Sequence, residues 1–163
     1  MNFESSKLFL NAPKDILNTL NSKNVTFNYH KFCLTKAVLK EKGILPNWRI
    51  LATNRDESNL QFISAMESVD YPIYGVQFHP EKNQFEFELT AISHTSEAIK
   101  ISQYFANFFV EECRKSKNSF PNKTILKKAL IYNYNPRYTG LTDVTYEQVY
   151  VFNKSDFRKV QLK

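Results

Sequence analysis

Three observations predict an α/β domain. An apolar run of strand formers, Ile73-Tyr74-Gly75-Val76, sits mid-chain and ends on Gln77-Phe78-His79-Pro80-Glu81. A helical stripe follows between Thr95 and Lys117, where Ala98, Ile101, Phe105, Phe108 and Phe109 recur at three- and four-residue steps. Shorter strand-like and amphipathic pieces alternate around these two. The chain has 163 residues, 42% hydrophobic and 23% charged, which is enough for one domain with a real core.

The elements follow from local pattern. Met1 to Leu10 is short and mixed, an edge strand or a loose start. Pro13 suits a first helical position, and Ile16, Leu17 and Leu20 give that short helix one apolar face. Val25 to Leu34, rich in Phe and Tyr, reads as a strand carrying His30. Lys36 to Lys42 reads as a short helix stopped by Gly43. Trp48–Thr53 and Leu60–Met66 read as a hairpin about the polar turn of residues 54–59. Tyr71–Phe78 is the core strand, apolar on both faces, and Lys82–Leu89 an irregular loop at the site. Lys128–Tyr134 and Tyr146–Phe152 read as two further strands. No internal repeat or domain boundary interrupts 1–163.

The chemistry concentrates at the end of the core strand. Pro80 cannot donate a ladder hydrogen bond and holds His79 in an extended conformation, so the strand should stop with His79 at its C-terminal lip. Glu81, two residues on, can accept the proton of one ring nitrogen and leave the other for proton transfer. The pattern His-x-Glu alone more often describes a strand-end histidine salt-bridged to a nearby acid.

Composition limits the other readings. The net charge is +6, and six basic residues without an acid lie between Arg114 and Lys128. Only Phe120 interleaves with them, which argues against a nucleic-acid surface and for a helix end plus a solvated loop. No apolar run is long enough to cross a membrane, and the N-terminus lacks the apolar core of a signal peptide. His30, His79 and His94 with Cys33 and Cys113 do not make a metal-ligand spacing, and three glycines cannot build a phosphate loop, so neither metal nor cofactor is expected. Neither cysteine has the flanking glycines of an exposed nucleophile turn, and whether the two pair is open. The sequons at Asn24, Asn122 and Asn153 are about as many as chance supplies.

The string Gly75-Val76-Gln77-Phe78-His79-Pro80-Glu81 resembles the His-Pro-Glu segment of class I glutamine amidotransferase-like proteins. Residues 28–32, 51–54, 62–67, 71–75, 92–94, 129–132 and 138–140 resemble one branch of them, gamma-glutamyl hydrolase, over a span from about Phe3 to Phe152. The resemblance implies an α/β three-layer sandwich with a largely parallel sheet, of which this chain supplies the C-terminal part. It implies hydrolysis of γ-glutamyl bonds, as in folate polyglutamates, by a cysteine-type peptidase. His79 would be the acid/base, Glu81 its orienting partner, and His30 a residue close to the substrate. It further implies a lysosomal or secreted location, against the cytosolic reading of the N-terminus, and leaves room for a homodimer. The Gly-x-Cys-x-Gly-like turn of the family is absent from these residues. The expectation is therefore an inactive partial domain or short isoform. The alternatives are a non-catalytic interaction module and a basic nucleic-acid-associated protein.

Overall fold

The computed structural model describes residues 5–142 and 146–154. Residues 1–4 of the expected N-terminal segment, and Ser155 of the third sequon, lie outside the described residues. The order of elements is α1 (Lys14–Ser22), α2 (Lys36–Glu41), β1 (Trp48–Arg55), β2 (Gln61–Ser68), β3 (Tyr74–Val76), α3 (Lys82–Phe85), α4 (Ser96–Arg114), α5 (Lys123–Ala129), β4 (Pro136–Tyr138) and β5 (Gln148–Tyr150).

The sheet follows the turn chemistry. Asp56 closes the β1–β2 hairpin: its carboxylate accepts from Leu60 N at 2.8 Å, and Asn59 takes a left-handed φ of 66° that asparagine tolerates. β3 then pairs antiparallel with β2, Tyr74 opposite Glu67 and Val76 opposite Ala65, in the order β1-β2-β3. Sheet pairing among the described residues is thus antiparallel, not the largely parallel arrangement expected, because a short hairpin and a tight bend at residues 69–72 join neighbouring strands. β3 is also shorter than the expected Tyr71–Phe78. Pro72 and Pro80 bracket it, and one further bond, Gln77 N to Ser64 O at 2.9 Å, carries the ladder past Val76. It is half-buried rather than interior.

α4 is the expected long helix. Thr95 caps it by accepting from Ala98 N at 3.2 Å, with Glu97 in its first turn and Arg114 in its last. Ala98, Ile101 and Phe105 are buried with Leu51, Ala65 and Phe78 of the sheet side and with Leu8, Phe9 and Ile16. The stripe is narrower than its sequence suggests: Phe108 is partly buried and Phe109 is 67% exposed. α2 begins on Thr35, which accepts from Val38 N, and ends at Gly43, whose φ of 69° suits a residue without a Cβ.

Two expected strands are absent. Residues 25–34 form no regular strand, yet their carbonyls take up sheet donors: His79 N bonds Phe27 O at 2.9 Å and Ile63 N bonds Leu34 O at 2.8 Å. Bulky aromatics there satisfy a strand propensity that the neighbouring ladders only partly accommodate. Lys128–Tyr134 is replaced by the end of α5 and a 3-10 turn at Ile131–Asn133. Asn122 nucleates the helix by accepting from Ile125 N at 3.0 Å. The basic run of residues 114–128 therefore ends α4, crosses to α5 and fills most of it.

Candidate active site

The site forms where β3 gives out. His79 leaves the ladder with its N–H on Phe27 O, and Pro80 turns the chain into α3. Glu81 occupies the N-cap position of α3 but makes no capping bond with its side chain. Its carboxylate turns back instead, and His79 Nδ1 donates to Glu81 Oε1 at 2.8 Å. That fixes the proton on Nδ1 and leaves Nε2 as the basic nitrogen.

His30, on the irregular segment, stacks on His79 with ring centroids 4.6 Å apart and planes 19° from parallel. Phe27 lies 6.3 Å from the imidazole with its ring tilted 40° to it, and it stacks on Tyr29 at 6.0 Å. The structure thus brings together His30, His79 and Glu81, all three singled out in the sequence. Tyr29, Phe32, Phe85 and Phe87 are exposed.

The third histidine stands apart from the pair. His94 donates from Nδ1 to Asn83 O at 2.8 Å and stacks on Phe87 at 4.5 Å. Cys33 is half-buried in the irregular segment, and Cys113 is exposed near the end of α4; neither forms a disulfide. Among the described residues no group of three His, Cys, Asp or Glu side chains could hold a metal ion, and no helix is long and apolar enough to cross a membrane.

Two buried polar centres, Asn83 and Glu67, were not singled out in the sequence. Asn83 is buried with its amide fully bonded. Glu67, on β2, is wholly buried and accepts from Arg49, Ser6, Lys7 and Leu8. Burial pushes its carboxyl up, but these donors together hold it below the ordinary glutamate value. The one usable hint was a glutamate at an inward position of an otherwise apolar strand. Beside the pair, a groove of about 820 Å³ runs between β3, α3 and α4, lined by Ile73, Tyr74, Glu81, Phe85 and Phe109. At its wall the Tyr74 hydroxyl donates to Glu112 at 3.0 Å, and burial followed by that carboxylate pushes the phenol up to about 12.

The comparisons fit this geometry. The model of the family "Glutamine amidotransferase class-I" matches residues 3–96, which include His30, His79 and Glu81. Gamma-glutamyl hydrolase B of Dictyostelium discoideum is 42% identical over 152 residues, covering 92% of this chain and 44% of that protein. The gamma-glutamyl hydrolases of Rattus norvegicus and Homo sapiens are 40% and 39% identical, over 92% and 91% of this chain and 47% and 46% of theirs. The chain spans just under half the length of these relatives. With an α/β domain matched over more than half its length, the chain belongs to the class-I glutamine amidotransferase family, and its likeness within it is to the gamma-glutamyl hydrolases.

Proposed function

We propose that this chain carries the acid/base half of a gamma-glutamyl hydrolase site. The observation that carries the reading is the 2.8 Å bond from His79 Nδ1 to Glu81 Oε1, with His30 stacked on the same imidazole. Nε2 of His79 takes the proton of a cysteine thiol, and the thiolate attacks the γ-glutamyl carbonyl carbon. As the C–N bond breaks, His79 returns the proton to the leaving amine. It then takes a proton from the water that hydrolyses the thioester. Glu81 stabilises the imidazolium formed twice in this cycle. His30 borders the path to Nε2 and contacts the substrate. Folate polyglutamates are the substrate class, by likeness to the relatives named above.

Neither Cys33 nor Cys113 supplies the thiol in this reading. Cys113 lies on a helix and Cys33 in an irregular stretch, whereas an activated thiol needs a sharp turn beside backbone N–H donors. The nucleophile would come from polypeptide beyond these residues, so 1–163 is one partial domain and is inactive by itself. A lysosomal or secreted location, and a homodimer of the full-length form, belong to the same proposal.

The groove beside Glu81 favours a second reading, a non-catalytic module that keeps the fold and binds an apolar partner. One experiment separates the two. The 163-residue chain is expressed alone and together with the half of the Dictyostelium relative that it does not match, and γ-glutamyl peptide hydrolysis is followed. The hydrolase reading expects poor solubility and no turnover alone, and turnover with the second half that His79→Ala abolishes. Turnover indifferent to His79→Ala would refute it. A cooperatively melting monomer without turnover in either form would support the module.

A further inference from the structure

We infer that Asn83 is a positioning residue of this site, holding the two supports of the His79–Glu81 pair against each other. The inference rests on the reading of that pair given above. Asn83 is 1% exposed, and both polar atoms of its side chain and its backbone carbonyl are hydrogen-bonded. Its Nδ2 donates to Ser93 O at 2.8 Å and, more weakly, to Val25 O at 3.4 Å. Its Oδ1 accepts from Ser102 Oγ of α4 at 3.0 Å, and its backbone carbonyl accepts from His94 Nδ1 at 2.8 Å. One residue therefore ties α3 to the segment at residue 25, to residues 93–94 ahead of α4 and to α4 itself.

The bracket encloses the pair. His79 N is fixed on Phe27 O, and Asn83 Nδ2 reaches Val25 O, so both ends of the stretch 79–83 hang on the same three residues, 25–27. Between those ends lie Pro80 and Glu81. The Glu81 carboxylate is largely exposed, and its described side-chain hydrogen bond is the one from His79. Whether it reaches Nδ1 is then decided by the backbone turn that Asn83 closes. Only a side-chain amide offers two donors and an acceptor in one plane here. Aspartate would turn a negative charge on two carbonyls, and leucine would strand both carbonyls and a hydroxyl.

The tautomer of His79 reads this arrangement without requiring catalysis. The chain, expressed together with the half of the Dictyostelium relative that it does not match, is labelled with 15N-histidine, and long-range proton–nitrogen spectra at neutral pH assign His79 by its loss in His79→Ala. The wild-type imidazole carries its proton on Nδ1. In Asn83→Ala, still melting cooperatively, the Nδ1-H to Nε2-H ratio falls about tenfold toward that of Glu81→Ala, as loss of a charge-assisted hydrogen bond implies. A folded Asn83→Ala with an unchanged ratio would overturn the inference. If Asn83→Ala does not fold, Ser102→Ala withdraws a single bond from the bracket. A several-fold fall is then expected, and an unchanged ratio overturns the inference equally. A wild-type His79 protonated on Nε2 would instead sink the reading of the pair itself, whatever Asn83 does.

Discussion

Removing the Glu67 carboxylate should destabilise this domain more than any single surface change. Its side chain is 0% exposed and receives four donors: Arg49 Nη1 at 2.6 Å, Leu8 N at 3.0 Å, Lys7 N at 3.1 Å and Ser6 Oγ at 3.2 Å. Glu67→Ala strands two backbone N–H groups and a hydroxyl at once and removes the carboxylate partner of Arg49, which keeps its bond to Ser5 O at 2.7 Å. Breaking a buried pair from one side costs about 3–5 kcal/mol, roughly a fifth or more of the stability of an ordinary domain. Arg49→Met should cost less, about 1–2 kcal/mol, because three donors remain on the carboxylate and the Arg49 side chain is already about one-third exposed. The carboxyl is held below its ordinary 4.5, so its contribution is complete above that value and fades as pH falls through the lowered one. Urea unfolding of wild type, Glu67→Ala and Arg49→Met at neutral pH, repeated below pH 4, measures both effects. A Glu67→Ala loss under about 1 kcal/mol at neutral pH, or a loss that does not shrink on acidification, would refute the reasoning. Glu67 pairs with Tyr74 on β3, so the same variant loosens the strand that delivers His79.

Other outcomes follow from the same geometry. In a reconstituted hydrolase, Glu81→Gln should lower kcat by roughly 10²-fold or more with little change in KM, because a neutral amide cannot stabilise the imidazolium; an unchanged kcat would remove Glu81 from the mechanism. His30→Phe should keep the stack on His79 but lose substrate contact, raising KM more than it lowers kcat, and equal kinetics would show His30 to be a bystander. Cys33→Ser and Cys113→Ser should both leave turnover intact, and loss of activity in either would identify the nucleophile in this chain. Tyr74→Phe should abolish the tyrosine that ionises near pH 12 in an absorbance titration and cost about 1 kcal/mol for the bond to Glu112; a titration curve identical to wild type would refute the assignment.

The parts legible in the sequence were those set by short-range chemistry. The turn at residues 54–59, the Thr95 end of α4 and the Gly43 stop each depend on a few neighbouring residues. So does the His79–Glu81 contact, two residues apart. His30 entered through resemblance, since no local pattern places a residue at position 30 against one at 79. The misreadings share a cause. Val25–Leu34 has the composition of a strand, but its carbonyls are taken by His79 and Ile63 at two separate places, so no continuous ladder forms. Lys128–Tyr134 is apolar in its middle, yet the Asn122 cap starts a helix whose run reaches Ala129. The Asn83 and Glu67 centres join residues 58 and 59 to 61 positions apart, and periodicity within a window cannot register them.

The irregular stretch around His30 has a mechanical consequence. It is an arch pinned at Phe27, which is buried and bonded to His79 N, and at Leu34, which is bonded to Ile63 N. Between the pins, Tyr29 and Phe32 are 65% and 88% exposed. Loops in general move on the nanosecond-to-microsecond scale. Among the described contacts His30 meets His79 through the ring stack, and no strand pairing includes it. In the hydrolase reading proposed above, access to Nε2 of His79 would then depend on the six residues between the pins and not on the strand pairings.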